Sequence, residues 1–324
     1  MVKSYRLEKQ GSLSDLKLIS HDLPLPKSTE VRIKHKFIGI NRFDLHHVLG
    51  DYKMAKLPDI TGIEGYGVIT HVGENVKDFK KDDEVMYLSG LRGSFSEERN
   101  IDERYVMIAN KHIDGDIQLA MLSGGLTAQL LSKQVYFARP VSNVVVYGAA
   151  GGVGYLLCQS LKNAGAKVIA VVGSEEKAAF VNKLGPDHVI NHSNEDLVKK
   201  IREYTGGLGA NCIYDCYGKG FLPKTLSSVA PFGMVVNYGD VHGVVDGLNV
   251  VNMWQRSVFF CRPNLFTYKT SNRVEFVLSS AMLLKDIKEG RLKPKITPYK
   301  FNQIPKALSD IKENKVMGSI IAEI

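Results

Sequence analysis

The apolar positions of this chain change period along its length. Up to about residue 120 they alternate with polar ones in short runs such as Glu30–Phe37 and Gly67–Val72, which predicts strands of a partly solvated antiparallel sheet or barrel. From about 125 to 264 they gather into Val- and Ile-rich runs near 144–148, 167–172, 188–191, 211–216 and 233–238, with helix-like stretches between. Such runs suit parallel strands covered on both faces, so this stretch predicts a doubly wound α/β domain. Beyond it come one long helical stretch, Asn272–Glu289, and an apolar strand, Gly318–Ile324, that needs a sheet to join. The two ends of the chain are therefore expected to form one discontinuous domain around the inserted α/β domain.

At 324 residues the chain is long for a single core, which agrees with two domains. A hydrophobic fraction of 44% is that of a globular protein. No apolar run approaches the roughly 20 residues of a membrane span, and the segment Met1–Arg6 lacks the apolar core of a signal peptide, so a cytoplasmic protein without a membrane partner is expected. The formal charge of +8 comes from lysines scattered among acids. It reads as solubility and attraction for anionic cofactors, and not as a nucleic-acid surface. The cysteines, Cys158, Cys212, Cys216 and Cys261, read as buried reduced thiols; Cys212 and Cys216 are an even number apart and are expected on one side of a strand.

The most informative stretch is Val144 to Gly154, where a β-branched run enters the turn Ala149, Ala150, Gly151, Gly152, Val153, Gly154 and a helix-like segment follows. That order of elements is the dinucleotide-binding βαβ unit. Glycine at 151 would let backbone approach a pyrophosphate, glycine at 154 would let helix pack on strand, and the free N–H groups of the helix start would face the phosphates. Ala149 stands where the usual GxGxxG has its first glycine. The next strand, Lys167–Val172, ends in Gly173 and Ser174 instead of the acid that accepts the ribose hydroxyls in NAD enzymes, and Ser174 is placed to cap a helix carrying Lys177. A hydroxyl, backbone donors and a cation suit a 2′-phosphate, hence NADPH. Glu175 and Glu176 oppose that reading unless they merely offset the helix dipole.

Nearly the whole chain resembles the zinc-independent quinone oxidoreductases (zeta-crystallin-like) of the medium-chain dehydrogenase/reductase superfamily. The resemblance rests on Asn41 with Asp44, Gly50 with Tyr52, the segment Gly62–Gly67, Gly125–Thr127, the loop 149–154 with Gln159 and Lys162, Tyr214–Asp215 with Gly218, Gly233 with Tyr238–Gly239, and Arg262–Pro263 with Leu265. It implies a Rossmann NADP(H)-binding domain at 125–264 inserted in a GroES-like, mainly antiparallel β catalytic domain at 1–124 and 265–324. Where zinc-dependent relatives carry metal ligands, this chain has Asn41, Ile63 and about Ser123, a set that does not suit Zn²⁺. His46 and His47 are adjacent and should point apart.

The resemblance implies NADPH-dependent, metal-independent reduction of quinones or related conjugated carbonyls by direct hydride transfer, in a homodimer joined through edge strands. Reduction of 2-enoyl thioesters or alkenals is the alternative within the same chemistry; an NADPH-binding RNA-interacting or structural protein without turnover is the alternative outside it. By analogy, Asn41 and Thr127 orient the nicotinamide carboxamide, with a turn amide and a helix cap as their plain structural roles. Tyr52 is implied as the residue nearest to acid chemistry, with an apolar wall as its plain role. Arg262 is implied at the cofactor phosphates and Leu265 and Phe266 beside the nicotinamide, with further cofactor contacts at Ala150, Gly151, Gly152, Val153, Tyr238 and Gly239. Gly173, Ser174 and Lys177 would hold the 2′-phosphate, and His192 stands where relatives often carry a tyrosine near the adenosine. Departures include Asn314 in place of an arginine and Asp82 in place of a turn glycine.

Overall fold

The computed structural model describes residues 1–271 and 273–324. They divide into two compact units, one of 1–123 with 295–324 and one of 124–294. The discontinuous arrangement has its physical cause in the last strand. Ser319–Glu323 pairs antiparallel with the end of Glu30–Ile40, Ile320 opposite Ile40 and Ala322 opposite Ile38, and parallel with Ile296–Lys300. Those apolar faces close a core of Leu7, Ile38, Val48, Phe95, Ile304, Leu308 and Ala322. The strand Glu30–Ile40 also pairs with Glu64–Val72 and Glu98–Asp102, so it is the spine of a seven-stranded sheet; a three-stranded sheet built on Val2–Leu7 completes the unit. The non-glycine turn before Val85 is tolerated as expected: Asp82 sits at φ +72°, in the left-handed region that short polar side chains enter at least cost.

The second unit holds a six-stranded parallel sheet in the order 188–191, 167–172, 143–147, 210–215, 229–237, 259–261. The order steps outward from the central strand Asn143–Tyr147 in both directions, which makes its carboxyl end the switch point where doubly wound folds bind ligands. Two expectations are corrected. Residues 265–294 belong to this unit and not to the other: Gln159 Nε2 donates to Lys293 O (3.0 Å), Asn163 Nδ2 to Arg291 O (3.0 Å), and Lys133 Nζ lies 3.6 Å from Asp286. The predicted helix there is Arg273–Lys288, with Asn272 outside the described residues. Cys212 and Cys216 do not share a side: the strand ends at Asp215, so alternation stops, and Cys216 joins the cluster of Val145 and Ile213 while Cys212, next to Ile213 in the strand, faces the other way.

Candidate functional site

Strand Asn143–Tyr147 delivers the chain into a turn closed by its own backbone. Gly148 adopts φ +63°, and Gly151 N donates to Gly148 O at 2.9 Å. Helix Gly152–Asn163 starts at once, with Gly151 as its N-cap. A Cβ on Gly154 would lie 2.3 Å from Gly148 O, so only glycine lets the helix come this close. A Cβ on Gly151 would meet nothing within 4 Å except Gly148 O at 3.3 Å, so open space lies over the first turn. Ala150, Gly151, Gly152 and Val153 thus form a bare helix N-terminus suited to a pyrophosphate.

The neighbouring strand Lys167–Val172 ends beside this turn, as Ala149 N donates to Val171 O (3.1 Å). Ser174 caps helix Glu175–Asn182, its Oγ accepting from Lys177 N at 3.3 Å. Of the two acids that opposed a 2′-phosphate, Glu175 is engaged within the unit: its Oε1 accepts from Asn191 Nδ2 (2.7 Å) and Asn194 Nδ2 (2.8 Å), bonds that hold its carboxyl below the usual range. His192 Nε2 would stand 3.2 Å from a Cβ on exposed Gly173. Its ring meets Tyr217 and Phe221 edge-on, both at 5.1 Å, and Phe221 stacks on His242 at 5.0 Å. Burial first, and then the nearby His242, Lys224 and Lys177, lower the His192 pKa from its ordinary value against a backbone hydrogen bond that raises it.

Other predicted cofactor residues have partners inside this unit. Arg262 forks onto Asp240, Nη1 donating to Oδ1 at 2.9 Å and Nη2 to Oδ2, and Nη1 also reaches Asn237 Oδ1. The fork pairs Arg262 with a fully buried acid, a tie absent from the expectation that it simply reaches phosphate. Tyr238 Oη donates to Tyr147 O at 3.0 Å, so its hydroxyl braces the central strand, and Gly239 is glycine because a Cβ would crowd Cys216 at 3.2 Å. Asp215 accepts from Tyr217 N (2.7 Å) and Gly218 N (3.1 Å); burial raises its pKa to about 6 against those bonds. Leu265 and Phe266 open the half-buried helix Leu265–Ser271. Thr127 lies within helix Gly115–Gln129, so it is no cap.

In the antiparallel unit, Asn41 is the N-cap of helix Arg42–Leu49, and Asp44 Oδ2 accepts from Asn41 N at 2.7 Å. Its side chain is held by a residue absent from the predicted set. Asn41 Nδ2 donates to Glu64 Oε1 at 2.6 Å, and Glu64 Oε2 accepts from Ser123 N at 3.2 Å. Gly39 leaves the space, since a Cβ there would lie 2.3 Å from Glu64 Oε1. Burial lifts Glu64 to about 7 against the bonds from Asn41 and Ser123, and it lifts Asp44 well above the carboxylate range. The sequence signal existed in the segment Gly62–Gly67, but no feature of the sequence aims Glu64 at Asn41.

Tyr52 follows the same helix. Its ring lies 4.8 Å from His46, 5.5 Å from Phe43 and 5.9 Å from His47, an aromatic nest on one helical face. The histidines do part: His46 Nδ1 pairs with Asp51 Oδ2 (2.8 Å) and His47 Nδ1 with Phe43 O (3.0 Å). Burial and the Arg92 guanidinium lower His47 to about 4. Among the described residues no three His, Cys, Asp or Glu side chains gather as a metal site. Asn314 Oδ1 accepts from Arg42 Nη2 at 2.6 Å.

A parallel nucleotide-binding sheet inserted into a sheet that the C-terminal strand completes is the architecture of the medium-chain dehydrogenases/reductases. Residues 27–111 match the alcohol dehydrogenase GroES-like domain and residues 152–274 the zinc-binding dehydrogenase family. A 2-haloacrylate reductase from Burkholderia sp is 32% identical, covering 99% of this chain and 98% of that one. The quinone oxidoreductase of Pseudomonas syringae superposes with a TM-score of 0.95 at 33% identity over the whole of both chains. That of Escherichia coli, solved with NADPH, has a TM-score of 0.95 at 30% identity over 99% of this chain and 100% of its own. The chain belongs to the quinone oxidoreductase family of this superfamily.

Proposed function

We propose that the protein reduces quinones and related conjugated carbonyls by direct hydride transfer from NADPH, without metal or flavin. The observation that carries the reading is the continuous phosphate cradle, Gly148–Gly154 extended by Gly173, Ser174 and Lys177, with Glu175 turned onto two amides. When bound, NADPH supplies the hydride. The helix start at Ala150–Val153 takes the pyrophosphate, and Ser174 and Lys177 take the 2′-phosphate. His192 borders the adenosine, with Tyr238, Gly239, Leu265 and Phe266 along the cofactor. Arg262 serves the phosphates from its fork on Asp240.

Asn41 and Thr127 orient the carboxamide. With its NH₂ group on Glu64, Asn41 keeps its amide plane fixed, and ionised Glu64 meets both of its donors. Tyr52 orients or protonates the acceptor oxygen, where negative charge develops as hydride adds at carbon.

The protein works in the cytoplasm as a homodimer. Val250, Val251, Trp254 and Phe259 are exposed around the edge strand Phe259–Cys261, and pairing there would cover both the apolar groups and the open edge. Light scattering that gives a monomer would end the dimer. The function is tested by NADPH oxidation in EDTA against 1,4-benzoquinone, 9,10-phenanthrenequinone, an alkenal and a 2-enoyl thioester, with NADH in parallel. Quinone turnover with NADPH preference is expected. Selective thioester turnover would replace the substrate class, and silence despite NADPH binding would favour a non-enzymatic role.

A further inference from the structure

The parallel unit gathers rings and basic side chains around one imidazole at the end of the strand Lys167–Val172. His192 follows the neighbouring strand His188–Asn191, and its backbone N donates to Val172 O at 3.0 Å, which fixes it beside that end. Its Nε2 is aimed at Gly173: a Cβ there would lie only 3.2 Å away, so the missing side chain lets the ring come up to this turn. On its other sides the half-buried ring meets Tyr217 and Phe221 edge-on, with His242 perpendicular to it at 6.4 Å. Lys224 Nζ stands 5.5 Å over the Phe221 ring.

The titratable groups whose charge acts on His192 are basic and come from three elements: Lys177 on helix Glu175–Asn182, Lys224 on helix Leu222–Ser228, and His242 beyond strand Val229–Asn237. The acids of the surrounding segments have bonds of their own. Glu175 takes the Asn191 and Asn194 amides, and Glu195 Oε2 accepts from Asn191 N at 2.7 Å. Asp215 accepts from Tyr217 N and Gly218 N, and Asp240 is forked by Arg262. The Tyr217 phenol, lifted well above its ordinary value by burial, brings no charge. Burial and the basic neighbours thus disfavour an imidazolium in the protein alone. A 2′-phosphate reverses the local sign. It carries about two negative charges at pH 7, and a ring nitrogen that faces it becomes a charge-assisted donor once protonated.

We propose that His192 selects NADPH by taking up a proton: as the 2′-phosphate settles on Gly173, Ser174 and Lys177, His192 Nε2 gains a proton from water and the imidazolium donates to a phosphate oxygen. This rests on the NADPH reading above. The complex then holds one proton more than the separate protein and cofactor, so affinity for the 2′-phosphorylated cofactor falls as pH rises. NADH, which lacks that phosphate, gains nothing from the proton. Preference for NADPH is therefore greatest at the acid side of neutrality and declines above it. Below about pH 6 the phosphate itself protonates, which bounds the window from that side.

The test is calorimetric and uses the full-length protein. NADP⁺ and NAD⁺ are titrated near neutral pH in buffers of widely different ionisation enthalpy, none of them phosphate, and the slope of the observed heat against that enthalpy gives the protons taken up. Uptake of about half a proton or more is expected with NADP⁺ and none with NAD⁺. The Kd for NADP⁺ should rise with pH by up to about tenfold per unit, the limit for one linked proton. His192→Gln should abolish the uptake and flatten the pH profile while NADP⁺ still binds through Ser174 and Lys177; loss of packing alone would shift the affinity equally at every pH. If that variant does not fold, His192→Phe, which keeps a ring against Tyr217 and Phe221, carries the comparison. A phosphate that shed its own proton on binding would give release, the opposite sign. No uptake by the wild-type protein, equal uptake with NAD⁺, or uptake that survives the substitution overturns the assignment. Quinone turnover with NADP⁺ binding that takes up no proton sinks the role of His192 and leaves the reductase standing; proton-linked NADP⁺ binding that the substitution removes, with no acceptor turned over, does the reverse.

Discussion

The glycine turn at 148–154 and the Asn41–Glu64 pair are built in opposite ways. The first is backbone: seven consecutive residues whose shape is set by a left-handed glycine, one N–H···O bond and the contact of Gly154 with Gly148 O. The second is side chain: an N-cap amide, an acid from the strand Glu64–Val72 and a backbone N–H from Ser123, joined only when the sheet forms. Backbone sites tolerate few residue types, whereas side-chain sites can be tuned by charge.

The largest expected effect breaks the backbone site. Gly154→Val should abolish NADPH binding in a fluorescence titration and cost about 1–3 kcal/mol of stability by overpacking, read by denaturant unfolding. Tyr52→Phe should lower kcat for quinones by roughly a hundredfold, the order of general-acid assistance, with little change in NADPH affinity; full kcat with every acceptor would end the donor role.

Glu64→Gln sharpens the contrast. Glu64 in the fold sits at about 7, above its ordinary value of 4.5, so folding favours the protonated form. Its contribution to stability is complete below pH 4.5 and is lost as pH rises through 7; the variant should therefore unfold with a flatter pH dependence across that window. Wild-type kcat/KM should rise with Glu64 ionisation near pH 7, and the variant should lose that step. The smallest effect is Lys177→Ala, expected to weaken NADPH by about tenfold while leaving NADH unchanged, by titration with each cofactor.

The same contrast explains what the sequence disclosed. The turn, the cap at Ser174 and the parallel strands were legible because each depends on residues close together in the chain. Glu64 was not, since its aim at Asn41 follows from the register of two strands and from the missing Cβ of Gly39. The boundary after 264 misled for the same reason: Gln159 and Asn163 claim the segment 265–294 through bonds that no local pattern announces. The Arg262–Asp240 fork likewise joins residues far apart in sequence.

Direct metal-free hydride transfer can be followed by single-turnover reduction of 1,4-benzoquinone in EDTA, using NADPH carrying deuterium at the transferred position of C4. Cofactor oxidation should slow with the deuterated form and match hydroquinone formation one for one. Equal rates for both isotopologues with chemistry limiting, or activity that EDTA removes, would contradict direct metal-free hydride transfer.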